Sequence, residues 1–397
     1  MKIAIMMRAM EQDSGHRAII ERLVEDMLRI EEAATFLLFY RTDKWLGRFA
    51  SYPNAREMIL QAPHKLLWDQ VAVPFRAWKE GADVIYNPKF SVPLISSCPV
   101  VMGLHEPAWW AWPEHYELLD RTYMKLMLPL YVRRAAHLFP ISQFVVAENR
   151  KYIRFPLEKA TVAYPAPMEY FRPITDRSVL DELRVRLALP ERFILSVTRV
   201  DHPGLTASRS FFPGKNVEMA VRAYQRCREQ VPHRLVIAGR RVKEYLLSTG
   251  FSEQDLEGIV FIGFLAHEEI PKLLSLADVF VLPSFYESYA MALVEAMACG
   301  CPVVASESGA CPEITADAGL LANPSNPDDF AAQILRVLRD QRLAADLRAR
   351  SLERAGFFNR GRAAWTVLQK MREVSLAGTR RHKAKPSSGD SLVNHRY

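Results

Sequence analysis

Pro283-Ser284-Phe285-Tyr286-Glu287-Ser288-Tyr289-Ala290-Met291-Ala292-Leu293-Val294-Glu295-Ala296-Met297-Ala298-Cys299-Gly300-Cys301-Pro302-Val303-Val304-Ala305-Ser306 is the stretch on which the reading of this 397-residue chain turns. It reads as the end of a strand, a loop, a helix stopped by Gly300, and a new strand after Pro302. Glu287 falls in the loop at the carboxyl end of the first strand. The backbone amides of Ala290 and Met291, free at a helix start, are expected to face the same crevice and to suit an anion. Glu295 lies one turn further on, among Ala292, Leu293, Val294, Ala296, Met297 and Ala298. A carboxylate in so apolar a helix is costly unless it has a partner, such as sugar hydroxyls. The plainer alternative is a solvent-facing Glu295 and a Glu287 that only answers the helix dipole.

Working outward, apolar strand-like runs alternate with helix-like segments from end to end, the pattern of a parallel sheet with crossover helices. Ile3–Met7, Thr35–Tyr40, Asp83–Tyr86, Val100–Leu104 and Leu138–Ile141 read as strands. Between them, helices are expected from Gly15 to Ile30, around Leu66–Trp78 and over Glu117–Ala136, with Ser142 capping another. Pro165, Pro167 and Pro173 then mark a linker. Beyond it the alternation restarts with Phe193–Val197, Leu235–Ala238, Val260–Ile262, Val279–Leu282 and Val303–Ala305, and the chain is helical by pattern from about Asp328 to Val374. The expected fold class is α/β, two doubly wound domains facing a cleft. Residues 1–170 form the first domain, 171–378 the second, and 379–397 a basic disordered tail. The last helix is allowed to cross back to the first domain.

Composition narrows the function. Hydrophobic residues make up 49% and charged residues 24%, which excludes a disordered or fibrous chain. No apolar run reaches the roughly 18 residues of a membrane span. The opening Met1–Arg8 breaks too early for a signal-peptide core, and with five cysteines a cytoplasmic location is expected. Of the net charge of +7, the stretch from Thr379 to Tyr397 carries +4, so the body is near neutral and no nucleic-acid partner is expected. Cys299, Cys301 and Cys311 have no fourth ligand at zinc spacing, and no metal or other cofactor is expected. No Ser/His/Asp triad or P-loop pattern occurs.

The Glu287…Glu295 pair with the following Ala296–Val304 resembles the E-x7-E signature of family 4 retaining glycosyltransferases. Tyr86-Asn87-Pro88, Pro93, Val100–Glu106 and Trp112-Pro113-Glu114 are similar to the N-terminal half of the mannosyltransferase-like branch, and Lys215-Asn216 to its C-terminal half. The resemblance implies the GT-B fold and a retaining transfer of a hexose, mannose-like by preference, from a nucleotide-diphosphate sugar. A GDP-sugar is favoured, with UDP as the alternative; the acceptor would be a saccharide or lipid-linked hydroxyl.

By the same resemblance, Glu287 lies against the transferred sugar and Glu295 binds the nucleotide ribose, while Arg199 and Lys215 hold the diphosphate. His105, after Val100–Leu104, faces the donor sugar across the cleft. Gly15, in Asp13-Ser14-Gly15-His16, belongs to the glycine-rich loop, and Gly263 with Phe264 passes the nucleobase. The chemistry agrees: two cations and a helix start can stabilise a leaving diphosphate without a metal. His105 has a plain alternative, capping backbone carbonyls.

The chain departs from the family pattern at Ser14-Gly15, Glu106, Thr198, Ser288 and Ala290, and in the insertion Asp201–Pro213, which reads as a lid, an acceptor contact or a tolerated loop. Trp109, Trp110 and Trp112 are expected to pack rather than to stack on sugar. The apolar run Tyr123–Tyr131 reads as core, or as a membrane-surface face that brings the enzyme to the inner leaflet. A nucleotide-sugar epimerase of the same fold and a non-catalytic sugar-binding protein are the rival functions.

Overall fold

The structure, a computed structural model, describes residues 1–11, 15–111, 113–198 and 213–383. The short apolar runs become two six-stranded sheets, parallel throughout. The first contains β1 (Lys2–Met6), β2 (Thr35–Tyr40), β3 (Ala55–Ile59), β4 (Val84–Asn87), β5 (Val100–Leu104) and β6 (His137–Pro140). The second contains β7 (Phe193–Val197), β8 (Arg234–Ala238), β9 (Ile259–Gly263), β10 (Val279–Leu282), β11 (Val303–Ser306) and β12 (Gly319–Ala322). Their spatial orders, β3-β2-β1-β4-β5-β6 and β12-β11-β10-β7-β8-β9, are the same doubly wound order repeated. Central strands such as β4, β5, β10 and β11 are buried at every position, as strands covered on both faces must be.

Each sheet carries a hydrophobic core on each face. In the second domain, Leu293, Val294, Ala296 and Met297 of the helix Met291–Ala298 enter one core, and the helix Val217–Cys227 fills the other. In the first domain, Ile20, Val24 and Met27 of the helix Gly15–Ile30 pack on one face together with Ala364, Val367, Leu368 and Met371. Those four belong to the final helix, Arg360–Lys383, so the chain does cross back and completes the core of the first domain. Arg360 anchors the crossing by pairing with Asp26 at 2.6 Å. Along the linker, Ala163 joins the first domain's core and Phe171 the second's.

Two points of the sequence reading are corrected. The edge strands β3 and β12 went unread because edges need no continuous apolar run: β3 is Ala-Arg-Glu-Met-Ile and β12 includes Gly319. The final helix runs to Lys383, through the residues expected to begin a disordered tail; one interior glycine, Gly378, costs a helix only about 1 kcal/mol, and no proline follows until Pro386. The helix expected around Leu66–Trp78 is present over Lys65–Glu80, with a π-helical stretch at Trp68–Ala72 and Trp68 fully buried. Among the described residues no helix is long and apolar enough to cross a membrane.

Candidate active site in the interdomain cleft

In a doubly wound sheet the crevice opens where the strand order reverses, beyond the carboxyl ends of the strands. In the second domain that point lies between β7 and β10. Val197 and Thr198 leave β7 there, and Pro283–Ala290 leaves β10. These loops and the facing ends of the first domain enclose a cavity of about 890 Å³. Glu287, Lys215, Glu295, Ala290, Met291 and His105 all line it, so six residues scattered over 190 positions of sequence meet in one space.

Glu287 is held by three separate devices. Ser284 Oγ donates to its Oε1 at 2.8 Å, and Lys215 Nζ donates to the same oxygen at 2.7 Å. Its backbone is clamped: Ala310 N donates to the Glu287 carbonyl at 2.8 Å, and Gly309 lies so close that a Cβ there would sit 2.7 Å from both Glu287 N and O. Asn216 fixes the Lys215 turn against this loop, its amide donating to the carbonyls of Pro283 and Pro324 at 2.9 Å each. Burial works to lower the Lys215 pKa, but the charge and hydrogen bond of Glu287 outweigh it and leave the ammonium above its usual value.

The helix start beside Glu287 is also the meeting place of the domains. Ala290 adopts a left-handed φ of 60° while buried, where glycine is the usual residue; the strain for alanine is about 1–2 kcal/mol. The preceding carbonyl of Ser288 accepts from Ser142 Oγ at 2.6 Å, the hydroxyl that also caps the helix Gln143–Arg150. Glu313 of the second domain lies across the start of the same helix. Its carboxylate accepts from the amides of Gln143 (2.7 Å) and Phe144 (2.9 Å) and from Tyr164 Oη (2.7 Å). Burial and this carboxylate push the Tyr164 phenol above its usual range.

The partner that Glu295 requires is His267, whose Nε2 lies 3.0 Å from Oε1. Tyr170 Oη sits 2.7 Å from the other ring nitrogen. The hydrogen bond to Glu295 raises the imidazole pKa against the opposing effect of burial, with the charges of Glu295 and Glu268 adding to it. His105 is 4% exposed, and its Nε2 donates to the Pro88 carbonyl at 3.1 Å. It therefore does cap a backbone carbonyl, and it lines the cavity as well. β5 approaches that carbonyl so closely that a Cβ on Gly103 would stand 2.3 Å from Pro88 O.

Gly263 ends β9 at the edge of the sheet, and neither it nor Phe264 lines the cavity; Phe264 is exposed, with the Arg240 guanidinium 5.1 Å from its ring centre. Gly15 begins the first long helix. Arg199, Asp13-Ser14, Trp112 and residues 201–212 of the insertion lie outside the described residues. Trp109 and Trp110 pack: Trp109 Nε1 donates to Asp120 at 2.9 Å, and Trp110 stacks on Tyr152.

Sequence reasoning missed His267, Tyr170, Glu313, Gly309 and Ser284. For His267 a local signal existed, a histidine between the end of a strand and the helix start Ile270-Pro271. Glu313 had none, since its partners are 149 to 170 residues away.

Two doubly wound domains enclosing a cavity at their switch points, with a carboxylate and an ammonium on the second domain's loops, are the architecture of the GT-B glycosyltransferases. Residues 198–354, the greater part of the second domain, match the family described as glycosyl transferases group 1, so the chain carries a group 1 glycosyltransferase domain. The O-antigen chain mannosyltransferase B of Escherichia coli is 27% identical over 318 residues, covering 79% of this chain and 80% of that protein. Sucrose-phosphate synthase from Thermosynechococcus elongatus superposes with a TM-score of 0.70 at 21% identity, over 95% of this chain and 99% of that one. Anabaena Alr3699/HepE in complex with UDP and glucose does so with 0.69 at 19%, over 94% and 100%.

Proposed function

We propose that the protein transfers a hexose, mannose by preference, from a nucleotide-diphosphate sugar to a saccharide or lipid-linked hydroxyl, with retention of configuration. The observation that carries this reading is the Lys215–Glu287–Ser284 cluster beside a helix start inside the interdomain cavity. Glu287, fixed on one oxygen, would offer the other to the hydroxyls of the transferred sugar. Lys215, Arg199 and the amides of Ala290 and Met291 would receive the diphosphate, whose charge grows as the glycosidic bond breaks. No metal is required of that arrangement. Glu295 would take the ribose, and Gly263 with Phe264 would pass the base. His105 would contact the donor sugar, and the loop at Gly15 would approach donor and acceptor.

The acceptor hydroxyl would attack from the face the diphosphate leaves, with a phosphate oxygen taking its proton. The protein then contributes positioning and charge stabilisation. The likeness to a mannosyltransferase supports transfer over epimerisation or simple binding and favours a GDP-sugar, while the UDP complex of the Anabaena protein keeps a UDP-sugar as the alternative. Glu287→Ala should abolish transfer while leaving nucleotide-sugar binding measurable by calorimetry. Undiminished turnover in that variant refutes the reading. Thermal-shift comparison of GDP-, UDP- and ADP-sugars identifies the base, because the bound nucleotide stabilises the native state.

A lipid-linked acceptor, met by a cytoplasmic enzyme at the inner membrane surface, is supported by one further observation. Leu119, Leu126 and Leu130 form an exposed stripe on the helix Leu118–Arg134, and Val71, Phe75 and Trp78 form another on the helical segment over the same sheet face, with Lys65, Lys79 and Arg133 nearby. Co-sedimentation with anionic vesicles that survives Phe75→Asp with Trp78→Asp would sink this part.

A further inference from the structure

We infer that His267 is a positioning residue for the donor: it holds the Glu295 carboxylate in place and is itself set by Tyr170 of the interdomain linker. The inference rests on the proposed role of Glu295 as the ribose ligand.

The polarity of the chain follows from which atoms can donate. An ionised carboxylate only accepts, so the ring nitrogen facing Glu295 Oε1 at 3.0 Å, Nε2, must carry the proton. In a neutral imidazole Nδ1 is then the acceptor, and Tyr170 Oη, 2.7 Å away, donates to it. The sequence of bonds is Tyr170 O–H to Nδ1, then Nε2–H to Glu295. Phe171 packs edge-on against the imidazole with ring centres 4.9 Å apart, which limits the ring's rotation.

The consequence lies at Glu295. Its helix offers apolar neighbours and no partner, and the terminal torsion of a glutamate is broad and close to two-fold. Held at Oε1, the carboxylate presents Oε2 to the cavity, where a vicinal diol needs an acceptor of fixed direction. Tyr170, His267 and Glu295 all line that cavity. Tyr170 also precedes Phe171, the linker residue seated in the second domain's core. The chain of hydrogen bonds therefore links the donor carboxylate to the domain junction.

Calorimetry with GDP-mannose, and UDP-glucose as a second probe, on the full chain tests this. His267→Ala should weaken binding of whichever probe the wild type binds by roughly tenfold, the loss of one hydrogen bond to a charged group. It should raise the donor KM and leave kcat within about twofold. His267→Gln, whose amide N–H can replace Nε2–H, should restore most of the affinity. In a Glu295→Ala background, His267→Ala should cost nothing more. A full additional loss there, or no rescue by glutamine, would mean that His267 touches the nucleotide directly and overturns the inference. Failure of Glu295→Ala to weaken binding, or failure of the wild type to bind either probe, overturns instead the reading of Glu295 on which it stands. The imidazole is half-exposed, so the thermal midpoint of each variant should stay near that of the wild type.

Discussion

Gly309 gives the sharpest test of how backbone packing sets the position of Glu287. Two costs attend Gly309→Ala, and the structure separates them. The first is conformational: φ is +64°, a value that costs alanine about 1 kcal/mol or somewhat more. The second is steric, because the added methyl would lie 2.7 Å from Glu287 N and O, both backbone atoms that cannot swing aside. Restoring ordinary contact moves the Glu287 backbone by about 0.7 Å, and displacements near 1 Å in a reacting group cost on the order of a hundredfold in rate. Gly250 supplies the control, with φ +101° and open space where its Cβ would go. Gly250→Ala carries the conformational cost alone.

Each variant should lose stability, Gly250→Ala by roughly 2–4 °C in melting temperature and Gly309→Ala by more. Only Gly309→Ala should lose activity, by about a hundredfold in kcat/KM, read from release of free nucleoside diphosphate at a temperature where both variants are folded. Equal activities in the two variants would show that the Gly309 contact does not control the position of Glu287.

The interdomain clasp and a buried histidine allow two more. Glu313→Ala removes the acceptor of two helix-start amides and the Tyr164 hydroxyl, and should lower stability by roughly 2 kcal/mol in urea unfolding while speeding proteolysis within residues 163–175. Wild-type values for both would show that the clasp adds nothing. His137, 5% exposed on β6 with Nε2 2.9 Å from Thr161 Oγ1, is held down to about 4, by burial first and then by the Lys370 and Lys159 charges. Its folded value lies below its unfolded one, so its contribution is complete above pH 6.5 and is lost as the pH falls toward 4, by at most about 3 kcal/mol. His137→Gln should flatten the urea midpoint across that window, and parallel curves for the two proteins would refute the assignment.

The sequence by itself determined the α/β alternation, the central strands, the helix between Glu287 and Cys299, and the demand of Glu295 for a partner. Those features are legible because they are local: a buried parallel strand must be a short apolar run, and a carboxylate in an apolar helix declares its cost. The edge strands β3 and β12 escaped because an edge exposes part of its surface and relaxes the composition.

The tertiary structure alone decided who meets whom. Glu295 asked for a partner and received His267, 28 positions earlier, from the turn after β9. Glu287 is fixed by Lys215 and clamped by Gly309, and the start of the helix Gln143–Arg150 is held by Glu313 of the other domain. None of these pairs has a spacing that helix or strand periodicity would select. They arise where two separately folded sheets present their carboxyl ends to one cavity, and it is burial there, with its requirement that every carboxylate and free amide be matched, that selects the partners.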